Sequence, residues 1–300
     1  MSKRFPHNPE VGPEHYIQAN WDRLSSCRGT TKPICLVEGR EDAEILTRVF
    51  SSNDPESGIV TVVVDGRENV NSFILPFRQQ GFSNTRGMVD SDGRGYSDLS
   101  DPDFTFVTDY WDMECSLWMT SISDDIISEI FERYPVDVEN LMEVVTLAAS
   151  EIGVLRKANW RLDMSNKFSD LDFESLFTIE VESQDCEPTF SITSSKEDIY
   201  TAVASGLSGE SNQFKFRSAV EQCRVELRNA GPYDFAQGKD VFKLLVMCSR
   251  ALKVASGFVD ESLPLDVQAR KIFKVWIDRT TRRNFDELDL SRSIASWMAA

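Results

Sequence analysis

The sequence has two histidines, His7 and His15, and both lie near its first residue. Histidine is the usual general base at neutral pH and the usual partner of a serine or cysteine nucleophile. The rest of the chain offers no histidine for such chemistry, so an enzymatic reaction would have to rest on carboxylates.

Cysteine is also sparse and scattered, and no two of the six cysteines form a C-x-x-C pair. This pattern argues against a zinc site and against a disulfide framework. It is typical of a chain that stays in a reducing cytoplasm.

Long apolar runs are missing. No stretch approaches the roughly 20 apolar residues that a membrane helix needs. The first residues, MSKRFPHNPEVGPEH, have no apolar segment after their charges. We therefore expect no signal peptide and no membrane partner, and a cytoplasmic location.

Positive charge is the next shortage, since the formal net charge is −17. Such a chain repels nucleic acid at long range, so a binding face would have to be local. Residues 270–283 hold six cations against Asp278 alone. Cations interleaved with aromatics are typical of nucleic-acid contacts, although a basic helix face over a core of Phe273 and Trp276 fits equally. The predicted nucleic-acid-binding residues are Lys271, Lys274, Arg279, Arg282 and Arg283.

The opposite extreme is the segment 169–187, which is rich in carboxylates and has no Lys or Arg. The simplest interpretation is a solvated face. The alternatives are a docking surface for a basic partner or a cover over a functional site.

The order of apolar segments predicts an α/β fold with a Rossmann-like, mostly parallel sheet, followed by a mainly α-helical domain. Strands are predicted in ICLV, GIVTVVVDG, TRGMVDSD and FTFVTDY, with helical patterns between the first three. Apolar strands alternating with helices are typical of a parallel sheet covered on both faces. The predicted domains are an N-terminal arm (1–30), an α/β domain (31–135) and a helical domain (136–300). Inside the last, LFTIEV and TFSIT suggest a pair of strands.

Carboxylates follow three of the predicted strands. In a doubly wound sheet, ligands bind beyond the carboxyl ends of the strands. Several acids converging there without cationic partners would repel one another unless a hard cation lay between them, and Mg²⁺ fits because it accepts a few carboxylate oxygens and keeps waters. The candidate residues are Glu38, Asp90, Asp92, Asp112 and Glu114.

Each motif also has a structural interpretation. A Glu-Gly pair is common at turns, and Asp-x-Asp-Gly consists of ordinary loop formers. Asp65, which ends the second strand, could cap a helix as easily as bind a metal. Their joint occurrence at strand ends favours a functional site.

LVEGREDAEIL and GMVDSDG resemble the two acidic elements of the TOPRIM superfamily, the metal-dependent fold of topoisomerases, primases and OLD-type nucleases. The later FVTDYWDMECSLW is similar to the OLD-like branch encoded beside an ABC-type ATPase. This resemblance covers roughly residues 30–120. Beyond them it rests on layout and on QGKDVFKLL (237–245), where Gln237 stands in place of a histidine common in relatives.

The resemblance implies a nuclease that uses Mg²⁺ or Mn²⁺. Glu38 would be a metal ligand or general base, Asp90 and Asp92 would bind the metal, and Asp112 and Glu114 would complete the site or hold a second ion. Glu38, Asp90, Asp92 and Glu114 would be the catalytic residues. Metal ions would activate a water and neutralise charge on the leaving oxygen.

The implied substrate is RNA, with tRNA first, cleaved as a toxic step of anti-phage defence. The implied partners are an ABC-type ATPase sensor subunit and a second copy of the chain, as a homodimer when active. Two alternatives stay open: a catalytically degenerate interaction subunit that regulates the ATPase, and a DNA-cleaving OLD-like nuclease. A phosphate-receiving signalling domain fits less well, because FVTDY supplies no lysine beside its aspartate.

Overall fold

A computed structural model describes residues 11–50, 58–164, 166, 168, 170–184, 187–207, 209–253 and 262–299. Its contacts divide the chain into two units. The sheet unit comprises Met1–Asp109 together with Ile277–Ala300, and the helical unit comprises Tyr110–Trp276. The sequence had placed the boundary near residue 135 and the whole C-terminal part in the helical domain.

The predicted parallel sheet is confirmed. All of its neighbouring strands run parallel, in the order β2-β1-β3-β4. The strands are short and almost entirely buried, as expected for apolar segments covered on both faces. Their bounds are β1 Ile34–Val37, β2 Val60–Val63, β3 Thr85–Val89 and β4 Thr105–Val107. The order reverses at the neighbours β1 and β3, which makes them the switch point of the sheet.

Helices of the sheet unit follow the apolar spacing of the sequence. They are α1 Pro13–Ala19, α2 Trp21–Leu24, α3 Arg40–Phe50, α4 Arg67–Gln79, α13 Arg282–Phe285 and α14 Asp289–Ala299. Val70 and Ile74 of α4 are fully buried. They lie so close to β3 that a Cβ on Gly87 would be 2.5 Å from Cγ1 of Val70. Glycine therefore sets the spacing between this helix and the sheet.

The segment predicted as an N-terminal arm is part of the sheet unit's core in its described portion, residues 11–30. Ile17, Leu24 and Cys27 are buried in the same apolar cluster as strand residues. Burying these side chains removes apolar surface from water, which holds the segment in place. Residues 1–10 of the predicted arm lie outside the described residues.

Residues 277–299 also belong to the sheet unit rather than to the helical domain predicted for them. Phe285 is fully buried and meets the ring of Phe50 edge-on, with centroids 5.9 Å apart. Trp297 packs on Phe106 of β4 and donates a hydrogen bond of 2.6 Å to Oδ1 of Asn84. These aromatic contacts join parts of the chain that are far apart in sequence.

The helical unit has a core of stacked aromatic rings. Its elements are α5 Met113–Trp118, α6 Ile122–Ile130, α7 Val138–Arg161, α8 Phe173–Leu176, β5 Phe177–Gln184, β6 Glu187–Ser194, α9 Lys196–Ala204, α10 Glu210–Ala230, α11 Gly238–Ala251 and α12 Leu265–Arg279, the last of which runs into the sheet unit. Trp118 stacks on Trp276, with centroids 6.1 Å apart. Their indole N–H groups donate to Thr146 and Ser123, at 3.0 and 2.9 Å. The fully buried rings therefore keep their polar atoms satisfied.

The strand pair predicted in the acidic segment is confirmed as the antiparallel hairpin of β5 and β6. Asp170, Asp172, Glu174, Glu180 and Glu182 are exposed, as the solvated-face interpretation expects. Residues 169, 185 and 186 of this segment lie outside the described part of the chain. Among the helices that the structure describes, none combines the length and apolarity required to cross a membrane.

Candidate functional site

Two carboxylate residues lie at the switch point of the sheet. Glu38 follows the last residue of β1 and Asp90 follows the last residue of β3, and these strands are parallel neighbours. The backbone N–H of Asp90 donates a hydrogen bond of 2.9 Å to Oε1 of Glu38. Ligands of open α/β sheets bind in this place. The structure thus brings together two of the residues that the sequence singled out.

The turn after β1 is fixed from both sides. The N–H of Gly39 donates to Oδ2 of the buried Asp42 at 2.9 Å, and the carbonyl of Glu38 accepts from Gly66 N–H at 3.2 Å. Asp42 lies in the first turn of α3, where a negative charge is favoured. Sequence reasoning gave Asp42 no role, although an acid at a helix start was visible in GREDAEIL.

Asp92 lies in a tight loop that continues from β3. Its backbone is left-handed, with φ of 50°, and Gly93 and Gly95 have φ of 67° and 58°. Aspartate tolerates this conformation better than most residues, and glycine adopts it freely. The N–H groups of Arg94 and Gly95 both donate to the carbonyl of Ser91, at 2.7 and 3.1 Å. The D-S-D-G motif is therefore a hydrogen-bonded turn.

Two arginines accompany these carboxylates, so the expectation of acids without cationic partners is wrong for this site. Arg67 opens α4 and binds the loop through Asp98, with Nη2 2.5 Å from Oδ1. Arg94 belongs to the loop and lies 3.3 Å from the other oxygen of Asp98. Both positive charges also act on Glu38. Arg67 was missed although it directly follows the predicted strand GIVTVVVDG.

Glu38 has a carboxyl group suited to proton transfer near neutral pH. Burial and the negative charge of Asp92 raise its pKa to about 7, against the opposing effects of the Asp90 N–H and of Arg67 and Arg94. The ordinary pKa of this group is 4.5. A carboxyl with a pKa near the ambient pH exists in both protonation states, which is what general acid–base chemistry requires. Such shifts are typical of functional sites.

Asp112 lies in the helical unit, and its carboxylate is engaged by backbone donors. Oδ1 accepts from Cys115 N–H at 2.8 Å, and both oxygens accept from Gly238 N–H at 3.1 Å. The side chain is buried. Burial and the charge of Glu114 raise the pKa of Asp112, while the N–H donors act against them. Asp112 is thus the N-cap of α5 and ties it to the start of α11.

Glu114 lies in the first turn of α5, with Oε1 3.9 Å from Nζ of Lys239. A Cβ on Gly238 would be 2.1 Å from Cβ of Glu114, so α11 approaches α5 closely at this glycine. The motif QGKDVFKLL therefore packs on the Asp-x-Glu element. The metal-ligand role of Asp112 and Glu114 stays a prediction, and we base the proposed site on Glu38, Asp90 and Asp92.

The other strand-end acids, Asp109 and Asp65, have hydrogen-bond partners within the sheet unit. The oxygens of Asp109 accept from the N–H groups of Asp289 and Leu290, at 2.7 and 3.0 Å, and so cap α14. Asp65 accepts from the hydroxyl of Tyr16 at 3.2 Å. Both carboxylates support packing within the sheet unit.

The predicted nucleic-acid-binding cations are exposed, whereas the aromatic residues among them are core. Phe273 and Trp276 are buried, as the structural alternative expected. Arg282 pairs with Asp286 at 2.6 Å and lies 4.3 Å over the ring of Phe50. A role of these cations in binding nucleic acid stays a prediction. The exposed cations are Lys271, Lys274 and Arg279 on α12 and Arg282 and Arg283 on α13.

The carboxylates at the switch point fit a divalent ion by their chemistry. Carboxylate oxygens are the ligands that Mg²⁺ prefers, and Mg²⁺ is usually held by one or two of them together with waters and substrate phosphate. The raised pKa of Glu38 reflects burial and repulsion from Asp92, and a cation would offset both. Across the described part of the chain, no three His, Cys, Asp or Glu side chains already form a metal-ligating group.

The comparison of this chain with known protein families found no match, and the comparison with curated proteins found no relative.

Proposed function

We propose that the chain is a phosphodiesterase of the TOPRIM type, dependent on Mg²⁺ or Mn²⁺, with its site on Glu38, Asp90 and Asp92. The observation that carries this proposal is the hydrogen bond between Asp90 N–H and the Glu38 carboxylate at the switch point of the parallel sheet. It joins two separately predicted acidic elements at the place where such sheets bind ligands.

In this proposal the three carboxylates have different roles. Asp90 and Asp92 hold the divalent ion, which when bound supplies a water of lowered pKa and charge neutralisation at the phosphate. Glu38 would complete the ligand set or accept the proton of the attacking water. Arg94, in the same loop, offers a positive charge to the phosphate oxygens.

The biological setting comes from the resemblance. The layout is similar to that of AriB, the effector of the PARIS anti-phage system. We therefore propose RNA, first of all tRNA, as the substrate, a homodimer as the active form, and an ABC-type ATPase as the partner that holds the enzyme inactive until it is triggered.

Cleavage of nucleic acid by the purified chain tests the proposed phosphodiesterase activity. End-labelled tRNA and duplex DNA are incubated with Mg²⁺, with Mn²⁺ or with EDTA, using the wild type and Glu38→Gln. The variant should cleave about 100-fold more slowly or worse, because general acid–base groups contribute at least that much. The matched control is Glu44→Gln, which removes the same charge from an exposed position on α3 and should keep the wild-type rate.

Binding of Mn²⁺, measured by calorimetry, is a second readout that does not need activation by the ATPase. Wild-type cleavage by Glu38→Gln would overturn the catalytic assignment. Cleavage of DNA alone would keep the chemistry and replace the substrate. A wild type that binds no Mn²⁺ and cleaves neither nucleic acid, with its ATPase present and triggered, would favour the interaction subunit.

A further inference from the structure

Arg67 occupies a position that helix electrostatics disfavour. It is the first residue of α4, and the N-terminus of a helix repels cations. Its side chain is only 6% exposed, and arginine is rarely buried without partners. Contacts outside the helix must therefore hold it there.

Within the described residues, the hydrogen bonds of the Arg67 side chain go to the loop that begins at Asp90. Nε lies 3.1 and 3.2 Å from the two carboxylate oxygens of Asp98, and Nη2 lies 2.5 Å from one of them. Nη2 also donates to the carbonyl of Gly95 at 2.7 Å, and Nη1 donates to the carbonyl of Asp90. One guanidinium thus binds both ends and the middle of a nine-residue loop, residues 90–98. Lysine, with a single compact ammonium, lacks this fork.

The electrostatics of Asp98 agree with this geometry. Burial acts to raise the pKa of Asp98, but the hydrogen bonds and charges of Arg67 and Arg94 outweigh it, and the pKa is lowered. Asp98 is therefore ionised at neutral pH, and its bonds to Arg67 are charge-assisted.

We propose that Arg67 is a positioning residue that fixes the loop 90–98, which carries Asp90 and Asp92, next to Glu38. Its effect on a divalent ion rests on the proposed function; its effect on the loop does not. Three positions with left-handed φ, Asp92, Gly93 and Gly95, lie inside the clamped loop. Without the bonds from Arg67, the loop would sample more conformations. The oxygens of Asp90 and Asp92 would then spend less time in the geometry that a metal ion requires.

Hydrogen exchange of the loop tests the positioning role directly. Amide exchange is measured by mass spectrometry on peptides that cover residues 90–98 and, as an internal reference, β1. In Arg67→Gln, exchange in 90–98 should accelerate at least about tenfold, as expected for the loss of a charge-assisted clamp. Exchange in β1 should not change. Arg67→Lys should fall between the wild type and Arg67→Gln.

The matched control is Arg78→Gln, at the other end of the same helix. Arg78 contacts the carbonyl of Thr85 and the ring of Phe104, not the loop. This variant should leave exchange in 90–98 unchanged. Affinity for Mn²⁺ alone, measured by calorimetry, should weaken about tenfold in Arg67→Gln through the loss of preorganised ligands and stay unchanged in Arg78→Gln.

Each possible result either supports or overturns one of the two proposals. Unchanged exchange in 90–98 for Arg67→Gln overturns the positioning role. If exchange instead accelerates throughout the chain, Asp98→Asn provides the decision, since it weakens the same clamp and leaves the arginine in place. In that variant, faster exchange confined to the loop supports the role, and wild-type exchange overturns it. A loosened loop in a protein whose wild type binds no Mn²⁺ supports the clamp and overturns the proposed function instead.

Discussion

Glu38 in the sheet unit is half-buried and Asp112 in the helical unit is buried, and burial raises the pKa of both carboxyl groups. They differ in how their oxygens are used. Within the described residues, the Glu38 carboxylate accepts a backbone hydrogen bond from Asp90 N–H, whereas Asp112 accepts three hydrogen bonds from two N–H groups. The oxygens of Asp112 are thus engaged by the starts of two helices. A carboxylate that lies at a switch point, beside another acid and two arginines, is suited to a ligand.

The largest expected effect of this difference is on stability. Asp112→Ala should lower the free energy of unfolding by about 3 kcal/mol, because it leaves two buried N–H groups without an acceptor. Glu38→Gln should cost little, since the amide oxygen still accepts from Asp90. Urea denaturation in EDTA at neutral pH measures both. Equal losses for the two variants would remove the distinction drawn between these carboxylates.

Each of the two units contains a glycine at which neighbouring elements approach closely, and the second prediction concerns these two glycines. A Cβ at Gly238 would overlap Glu114, and a Cβ at Gly87 would overlap Val70. Alanine at either position should cost about 2 kcal/mol, as is typical of overpacking. Gly206→Ala is the control, because its Cβ would meet one atom at 3.8 Å. Thermal melts of the three variants provide the test. An unchanged melting temperature for Gly87→Ala would contradict the close approach of α4 to β3.

The smallest effect is a pH dependence that belongs to Glu38. Its pKa is about 7 in the folded state and 4.5 ordinarily. Below 4.5 the group is protonated in both states and costs nothing. As the pH rises from 4.5 to 7, ionisation increasingly favours the unfolded state, and above 7 the full cost is present. Glu38→Gln lacks this cost.

The stability of Glu38→Gln relative to the wild type should therefore rise across this window, by on the order of 1 kcal/mol after allowance for solvent screening. Denaturation series in EDTA at pH 4, 5.5 and 8 measure it. A difference that stays constant over the series would contradict the raised pKa.

Local patterns in the sequence were enough to find the strands and two of the site residues. β1 and β3 are short apolar runs, and the acid that follows each run lies at the same sheet edge because the strands are parallel. Asp112 shows the limit of such reasoning. Asp-x-Glu spacing fits a metal site and a helix start alike, and the N-cap that the structure shows at Asp112 was not predicted.

Contacts between distant residues could not be predicted from local patterns. Arg67 binds Asp98, 31 residues away, and the place of Arg67 after a predicted strand did not indicate this partner. The aromatic residues of 277–299 likewise gave no sign that their partners would be Phe50 and Phe106. Periodicity identifies the buried face of a helix but not the surface that covers it.

The return of residues 277–299 to the sheet unit has a consequence for synthesis on the ribosome. The sheet strands emerge early, but the segment that packs on Phe50 and β4 emerges only after the whole of 110–276 has been made. A nascent chain stopped before residue 277 would expose these aromatic surfaces to chaperones. If the proposed activity is toxic, this order of translation would delay completion of the unit that carries Glu38 and Asp90 until after the helical unit has been synthesised.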